Sequence, residues 1–176
     1  MKRVLLLSAL IAFAVSGAGA RATTSYTVDL GSGLVDGHRV LGRTVAGVTA
    51  GLGRPDFRRG RQKDYRIGWG DPNEPSLEVL FHPSGGVQYA WSISFDRGPV
   101  RDVELGDLLG RRSRALQAAI LAQYPDAFSL RRPYTCKHSG FCVGELAPRA
   151  GSLHLTFGTQ PLHGTWLTIW QQPRGT

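Results

Sequence analysis

Apolar positions along this chain fall into three rhythms. Between Val4 and Val15 they are almost continuous. Across residues 41–52 and 109–124 they recur at helical spacing, with Leu41, Val45, Val48 and Leu52 in the first stretch and Leu109, Leu116, Ile120 and Tyr124 in the second. Side chains three or four apart share one face of an α-helix, so each stretch predicts a short amphipathic helix. In LEVLF (77–81) the rhythm becomes alternation, with Leu77, Val79 and Phe81 on one side and Glu78 on the other, the pattern of a half-buried strand. YAWSISF (89–95), LHLTF (153–157) and GTWLTIW (164–170) alternate likewise. RIGWG (66–70) reads as a further short strand, loosely matched around Phe141 to Leu146. HPSGG (82–86) reads as a hairpin turn.

The helices carry their own end signals. Thr44 and Ser113 are candidate N-caps, because a hydroxyl can accept from a free amide of the first turn. Gly53 suits a left-handed closure, and neither Pro55 nor Pro125 can continue a helix. The four glycines of GRTVAGVTAGLGRPDF (42–57) raise a second possibility, a phosphate-cradling loop. Such a loop needs its glycines between a strand and a helix. Here Val45, Val48 and Leu52 run through them, and no Gly-Lys-Ser or Gly-Lys-Thr step follows. The stretch is expected to be a helix, which removes the nucleotide-binding reading.

Laid over itself, the chain repeats. LGRTVAGVTAGLGRPDF (41–57) matches LGRRSRALQAAILAQYPDAF (109–128), both opening with Leu-Gly-Arg and closing on Pro-Asp before Phe57 or Phe128. LEVLF then matches LHLTF, and YAWSISF matches GTWLTIW, in the same order. Each half therefore predicts a helix followed by a small meander of strands. The expected organisation is a leader at 1–20, an extended N-terminal arm at 21–40, a first α+β repeat at 41–104 and a second at 105–176.

The pattern Gly42, Thr44, Val48, Leu52, Gly53 and Pro55, followed by LEVLF, a glycine turn and another strand, resembles the helix–strand–strand unit of SmpA/OmlA-type outer-membrane assembly lipoproteins. The tandem form is similar to the β-lactamase-inhibitor-protein-like fold. The matched positions are structural: a cap, core contacts and a closing turn. The chain departs from the lipoproteins in having no lipid-attachment cysteine. It departs from the inhibitor in having a cysteine pair in the second half alone, and no inhibitory contact carries over. The resemblance implies an α+β fold, two tandem helix-then-antiparallel-strand repeats forming one sheet of about six to eight strands. Helices would pack on one face and the other would stay open. It also implies a protein that acts by binding rather than by catalysis.

Charge and composition add a compartment. Lys2 and Arg3, the apolar run to Val15 and Ala18-Gly19-Ala20 read as a secretory signal peptide cleaved after Ala20. The run is shorter than the roughly 20 residues that span a bilayer. Cleavage leaves 19 basic and 13 acidic residues, a formal charge of +6 against +8 for the whole chain. Secretion or residence in a periplasm follows, with no membrane span in the mature chain, no nucleic-acid partner and a monomeric state expected. Cys136 and Cys142, in CKHSGFC, predict a disulfide in an oxidising compartment. A metal site with His138 is the rival reading, and it lacks a fourth ligand at standard spacing.

The candidate binding residues follow from the strands and the charge. Trp166 and Trp170 alternate with Leu167 and Ile169, so one pair faces the helices and the other the open side. Open-face tryptophans would anchor protein partners or stack on sugars. The alternation of YAWSISF groups Tyr89, Trp91, Ile93 and Phe95 and predicts a core Trp91. RPDFRRGRQKDYR (54–66) gathers Arg54, Arg58, Arg59, Arg61, Lys63 and Arg66 against Asp56 and Asp64, a patch suited to anionic envelope polymers. Arg111, Arg112 and Arg114 sit at a helix N-terminus, against the dipole. His154 and Glu78 occupy equivalent polar positions in the two halves, while His82, His138 and His163 are expected in turns. No His-x-His, His-Glu-x-x-His or nucleophile-elbow motif is present, and no cofactor is expected. The leading expectation is an exported, non-catalytic binding module, inhibitor-like or otherwise, using the open sheet face and rim loops. The alternative is a polyanion binder working through residues 54–66. A small secreted hydrolase would require His154 and Glu78 to meet.

Overall fold

The computed structural model describes residues 25–149, 151–161 and 164–172, with the Lys63 side chain outside the description. The expected signal peptide and His163 therefore lie outside the described residues. In chain order the elements are β1 (Tyr26–Asp29), β2 (Leu34–Val35), β3 (His38–Arg39), α1 (Val45–Leu52), β4 (Phe57–Arg59), a 3-10 turn (Gln62–Asp64), β5 (Arg66–Asp71), β6 (Glu74–Ser84) and β7 (Val87–Phe95). They continue with β8 (Val100–Asp102), β9 (Gly106–Asp107), α2 (Ser113–Gln123), β10 (Phe128–Cys136), β11 (Cys142–Pro148), β12 (His154–Gln160) and β13 (Gly164–Trp170).

The fold is mixed α+β, but with two sheets where one was expected. Eight strands form the larger sheet in the order β10-β11-β12-β13-β7-β6-β5-β4, and five short ones form the smaller in the order β3-β2-β1-β8-β9. The smaller sheet joins the segment before α1 to the segment between β7 and α2, through a parallel pairing of β1 with β8. Every neighbour pair in the larger sheet is antiparallel. At its centre Ile93 faces Ile169, flanked by Ser94–Thr168 and Ser92–Trp170.

α1 ends as its sequence dictates. Thr44 Oγ1 accepts from the Gly47 amide at 3.2 Å, and Gly53, at φ 82°, donates to Thr49 O at 3.0 Å. The glycine within the helix at position 51 has a packing reason: a Cβ there would stand 3.0 Å from the His38 side chain. α2 departs from expectation, because Arg112 precedes its first residue and supplies no side-chain cap. Ser113 lies inside the helix, buried, with its hydroxyl 2.9 Å from Thr159 Oγ1, which in turn lies 3.0 Å from Tyr134 Oη. The hairpin after β6 also differs. The strand runs on through Ser84, so the turn is Gly85–Gly86 alone, at φ 58° and 79°, the left-handed pair that a two-residue hairpin demands. His82 is thus a strand residue.

One core serves both sheets and both helices. Leu77, Val79, Phe81, Ile93, Phe95, Leu155, Phe157, Leu167 and Ile169 of the larger sheet meet Val28, Leu30, Val35, Val48, Leu116 and Ile120 from the layer above. Within that layer Asp102 is buried, and its carboxylate accepts from the amides of Leu30 (3.0 Å), Glu104 (3.1 Å) and Leu105 (2.8 Å) and from Tyr124 Oη (2.7 Å). Burial and this carboxylate together raise the Tyr124 phenol well above its ordinary value. Gln117, also buried, donates to Arg132 O at 2.9 Å and accepts from the Tyr134 amide at 3.0 Å. It thereby satisfies the backbone where β10 shifts register against β11.

Candidate functional site

The face of the larger sheet opposite the core carries half-buried side chains throughout its middle, Glu78, Leu80, Ser94, Thr156, Trp166, Thr168 and Trp170 among them. A face covered by another layer would have buried them, so this one is open. Register aligns its residues into rows. The central row crosses from Arg132 through Glu145, Thr156, Thr168, Ser94 and Glu78 to Gly68. Ser94 Oγ and Thr168 Oγ1 lie 3.0 Å apart at its middle.

Each carboxylate in that row is held by two arginines. Arg59 and Arg66 both donate to Glu78, the second at 3.2 Å. Arg131 and Arg132 approach Glu145 at 3.6 and 3.4 Å. The arginines are a third to a half exposed, so each pair contributes at most about 1 kcal/mol. Their effect is instead on the surface: each cluster keeps a net positive charge at one end of a neutral hydroxyl row.

The tryptophans resolve by burial. Leu167 and Ile169 are fully buried, and Trp166 and Trp170 stand half-buried on the open face. Trp170 donates from Nε1 to Thr156 Oγ1 at 2.9 Å and stacks on His154, with ring centroids 4.0 Å apart and planes 13° from parallel. Burial first, and the Arg131 charge second, lower the His154 imidazole below its ordinary value against a smaller opposing pull from Glu145. Trp166 lies on Gly158, where a Cβ would stand 2.7 Å from its ring, and stacks at 6.4 Å on Phe141 from the cysteine loop. That loop is closed by the Cys136–Cys142 disulfide, so the metal reading with His138 fails. Its cysteine ligands are spent on each other.

Trp91 corrects a second expectation. It is half-buried rather than core. On β7, Ser92 pairs with Leu80 and Ala90 with Phe81, leaving Trp91 as an extra residue. Such a bulge reverses the alternation on its far side, so Ala90 is buried and Tyr89 is exposed. Around the bulge, Gly42, His82, Ser84, Tyr89, Ala90, Trp91 and Gln171 line a cleft of about 280 Å³. Two of these lining residues, His82 and Trp91, each keep a buried ring nitrogen, Nδ1 and Nε1, without a hydrogen-bond partner among the described residues.

His154 and Glu78 do share the open face, but β13 and β7 lie between their strands. Three strand spacings and a two-residue offset along the strands put them about 16 Å apart, too far to work together as an acid–base pair. In the arginine-rich stretch Arg59 and Arg66 are occupied by Glu78, while Arg54, Arg58 and Arg61 are exposed without an ion pair among the described residues. Arg111 donates to Asp107 O (2.9 Å) and Leu105 O (2.5 Å), a fixed structural role. Among the described residues no cluster of three metal-ligating side chains occurs, and no helix is long and apolar enough to cross a membrane. Phe141 belongs to CKHSGF (136–141), one of the rim loops expected to take part in binding; the Glu145 cluster and the cleft at Trp91 have no local signal in the sequence beyond the paired arginines at 131 and 132. No family model, curated protein or solved structure matches the chain.

Proposed function

We propose that this chain is an exported, non-catalytic binding module that engages a protein partner through the open face of its larger sheet. The observation that carries the reading is the face itself. Trp166 and Trp170 stand on it half-exposed, both propped by a second ring, while the same strands bury every aliphatic neighbour on the reverse side. Rings held in this way present large contact area at low entropic cost, which is the physical profile of an interface anchor. The rows of arginine and hydroxyl groups around them would fit a partner that is acidic or neutral at its rim.

We read the module as a duplicated unit, in keeping with the SmpA/OmlA-like and inhibitor-like resemblance. Each helix is followed by four strands of the larger sheet, β4 to β7 after α1 and β10 to β13 after α2. The halves would meet at the centre of the sheet, through the antiparallel pairing of β7 with β13.

Capture of partners from the native exported fraction tests the reading. Trp170→Ala is expected to weaken capture by about 30-fold, as an anchor residue should, with little change between low and moderate salt. The polyanion alternative, favoured by exposed Arg54, Arg58 and Arg61, expects steep salt loss and sensitivity to Arg58→Ser with Arg61→Ser instead. Capture indifferent to Trp166→Ala and Trp170→Ala would refute the open face.

A further inference from the structure

We propose that the cleft beside the β7 bulge is a receptor for one planar aromatic ring with a hydrogen-bonding edge, a phenol or an indole. That a protein partner carries the ring rests on the binding-module reading; reception of the ring does not.

Five observations converge on it. The cleft is built by a device that breaks its own strand: one extra residue, Trp91, turns an indole out of the core and into the lining, and bulges of this kind re-aim side chains beside functional sites. The lining holds no Lys, Arg, Asp or Glu, in a chain whose formal charge is +8, so the site suits a neutral guest. Its walls are flat rings, Tyr89, Trp91 and His82, with Gln171 and Ser84 as neutral polar groups. His82 Nδ1 and Trp91 Nε1 are covered yet unpaired, a condition that a polar guest edge relieves after a small side-chain adjustment.

The fifth observation is internal. Phe81 faces Ala90 in one half and Phe157 faces Leu167 in the other; one step along, His82 faces Tyr89 and Gly158 faces Trp166. In the second half that step is filled by the chain's own indole, lying on a glycine and stacked on Phe141. In the first half Tyr89 is turned outward, 38% exposed, and the cleft opens. The matching place in the same fold already accepts an aromatic ring, which is the argument for the class of guest.

The test is an NMR titration of the nitrogen-15-labelled protein with indole and with p-cresol, with methyl β-glucopyranoside as comparator. Expected are saturable shifts of the Trp91 indole N–H and the Gln171 side-chain amide at millimolar indole, weakened about tenfold or more by Trp91→Leu, with the Trp170 N–H unmoved. If Trp91→Leu does not fold, His82→Gly combined with Tyr89→Trp, which copies the second half's pair, is expected to close the cleft and abolish the shifts. Absence of saturable shifts with either ring compound overturns the proposal. So does a response to the glycoside that equals or exceeds that to indole, which would make the cleft a sugar site. Partner capture through Trp170 involves none of these residues, so the two readings fail separately.

Discussion

Asp102 offers a stability test whose size can be worked from its contacts. Its carboxylate ties together the Leu30 amide before β2, the turn at Glu104 and Leu105 after β8, and Tyr124 at the end of α2. In Asp102→Ala the Leu30 amide, whose bond is buried, has no other acceptor and is expected to cost about 2 kcal/mol. The other three donors are partly buried and can reach water, so they add roughly 0.5–1 kcal/mol each. The sum is about 4 kcal/mol, which lowers Tm by about 8–16 °C for a domain of this size. Urea unfolding followed by tryptophan fluorescence and thermal unfolding followed by circular dichroism should agree on it. Tyr124→Phe removes one of the four bonds and should cost about 1 kcal/mol. A loss under 1 kcal/mol for Asp102→Ala would mean that the small sheet is not fastened through this carboxylate.

Other changes have outcomes of known direction. Replacing Cys136 and Cys142 by serine removes a crosslink between residues six apart; it should lower stability by about 2 kcal/mol, read from urea midpoints, and no change in midpoint would count against the loop-entropy account. His154 is held below its ordinary value of 6.5 with Arg131 and Glu145 facing it, so the unfolded chain binds the proton more readily. Its stabilising contribution is present above that value and lost as pH falls from 6.5 through the folded-state value, and His154→Gln should flatten the slope between pH 7 and 5. Gly158→Ala brings a Cβ against the Cys142 carbonyl and the Trp166 ring; a loss of about 1–3 kcal/mol with altered tryptophan emission is expected, and a neutral result would displace Trp166 from the glycine. Deleting Trp91 joins Ala90 to Ser92, which already face adjacent residues of β6, so circular dichroism should stay native. Deleting Ile93 reverses the following side chains and should unfold the protein; equal failure of both deletions would refute the bulge.

What the sequence disclosed depended on range. α1, with its cap and glycine closure, and the strands at LEVLF and LHLTF could be read because their signals are local and periodic. The smaller sheet could not. Its strands are two to four residues long, too short for a period, and β1 finds β8 in parallel across some seventy residues of chain. Asp102 looks like any loop carboxylate until that pairing forms. Trp91 was misassigned for a related reason, since alternation counts by twos and one inserted residue is invisible to it. Ser113 lost its cap role because its hydroxyl is engaged by Thr159 from β12, a tertiary contact that overrides a local preference. Charge was only half legible: the arginines could be counted, but which of them Glu78 and Glu145 would hold is a property of register.

The open face gains weight from what the sheet withholds elsewhere. A sheet can recruit a partner strand at a free edge, yet both edges here are poor templates. β10 carries Arg131, Arg132 and Pro133 and twice loses register with β11, while β4 is three residues long and two of those are exposed arginines. The smaller sheet ends in two-residue strands, β3 and β9. One face of the large sheet is sealed by the core. The proposed binding role would therefore use the remaining face and its rim. There the second half closes its ring position with Trp166, Gly158 and Phe141, and the first half leaves the matching position open beside Trp91. On the proposed duplication, one half has filled a space at this step and the other has kept it. That asymmetry is what a binding role for the first half would require, and packing alone gives no reason for it.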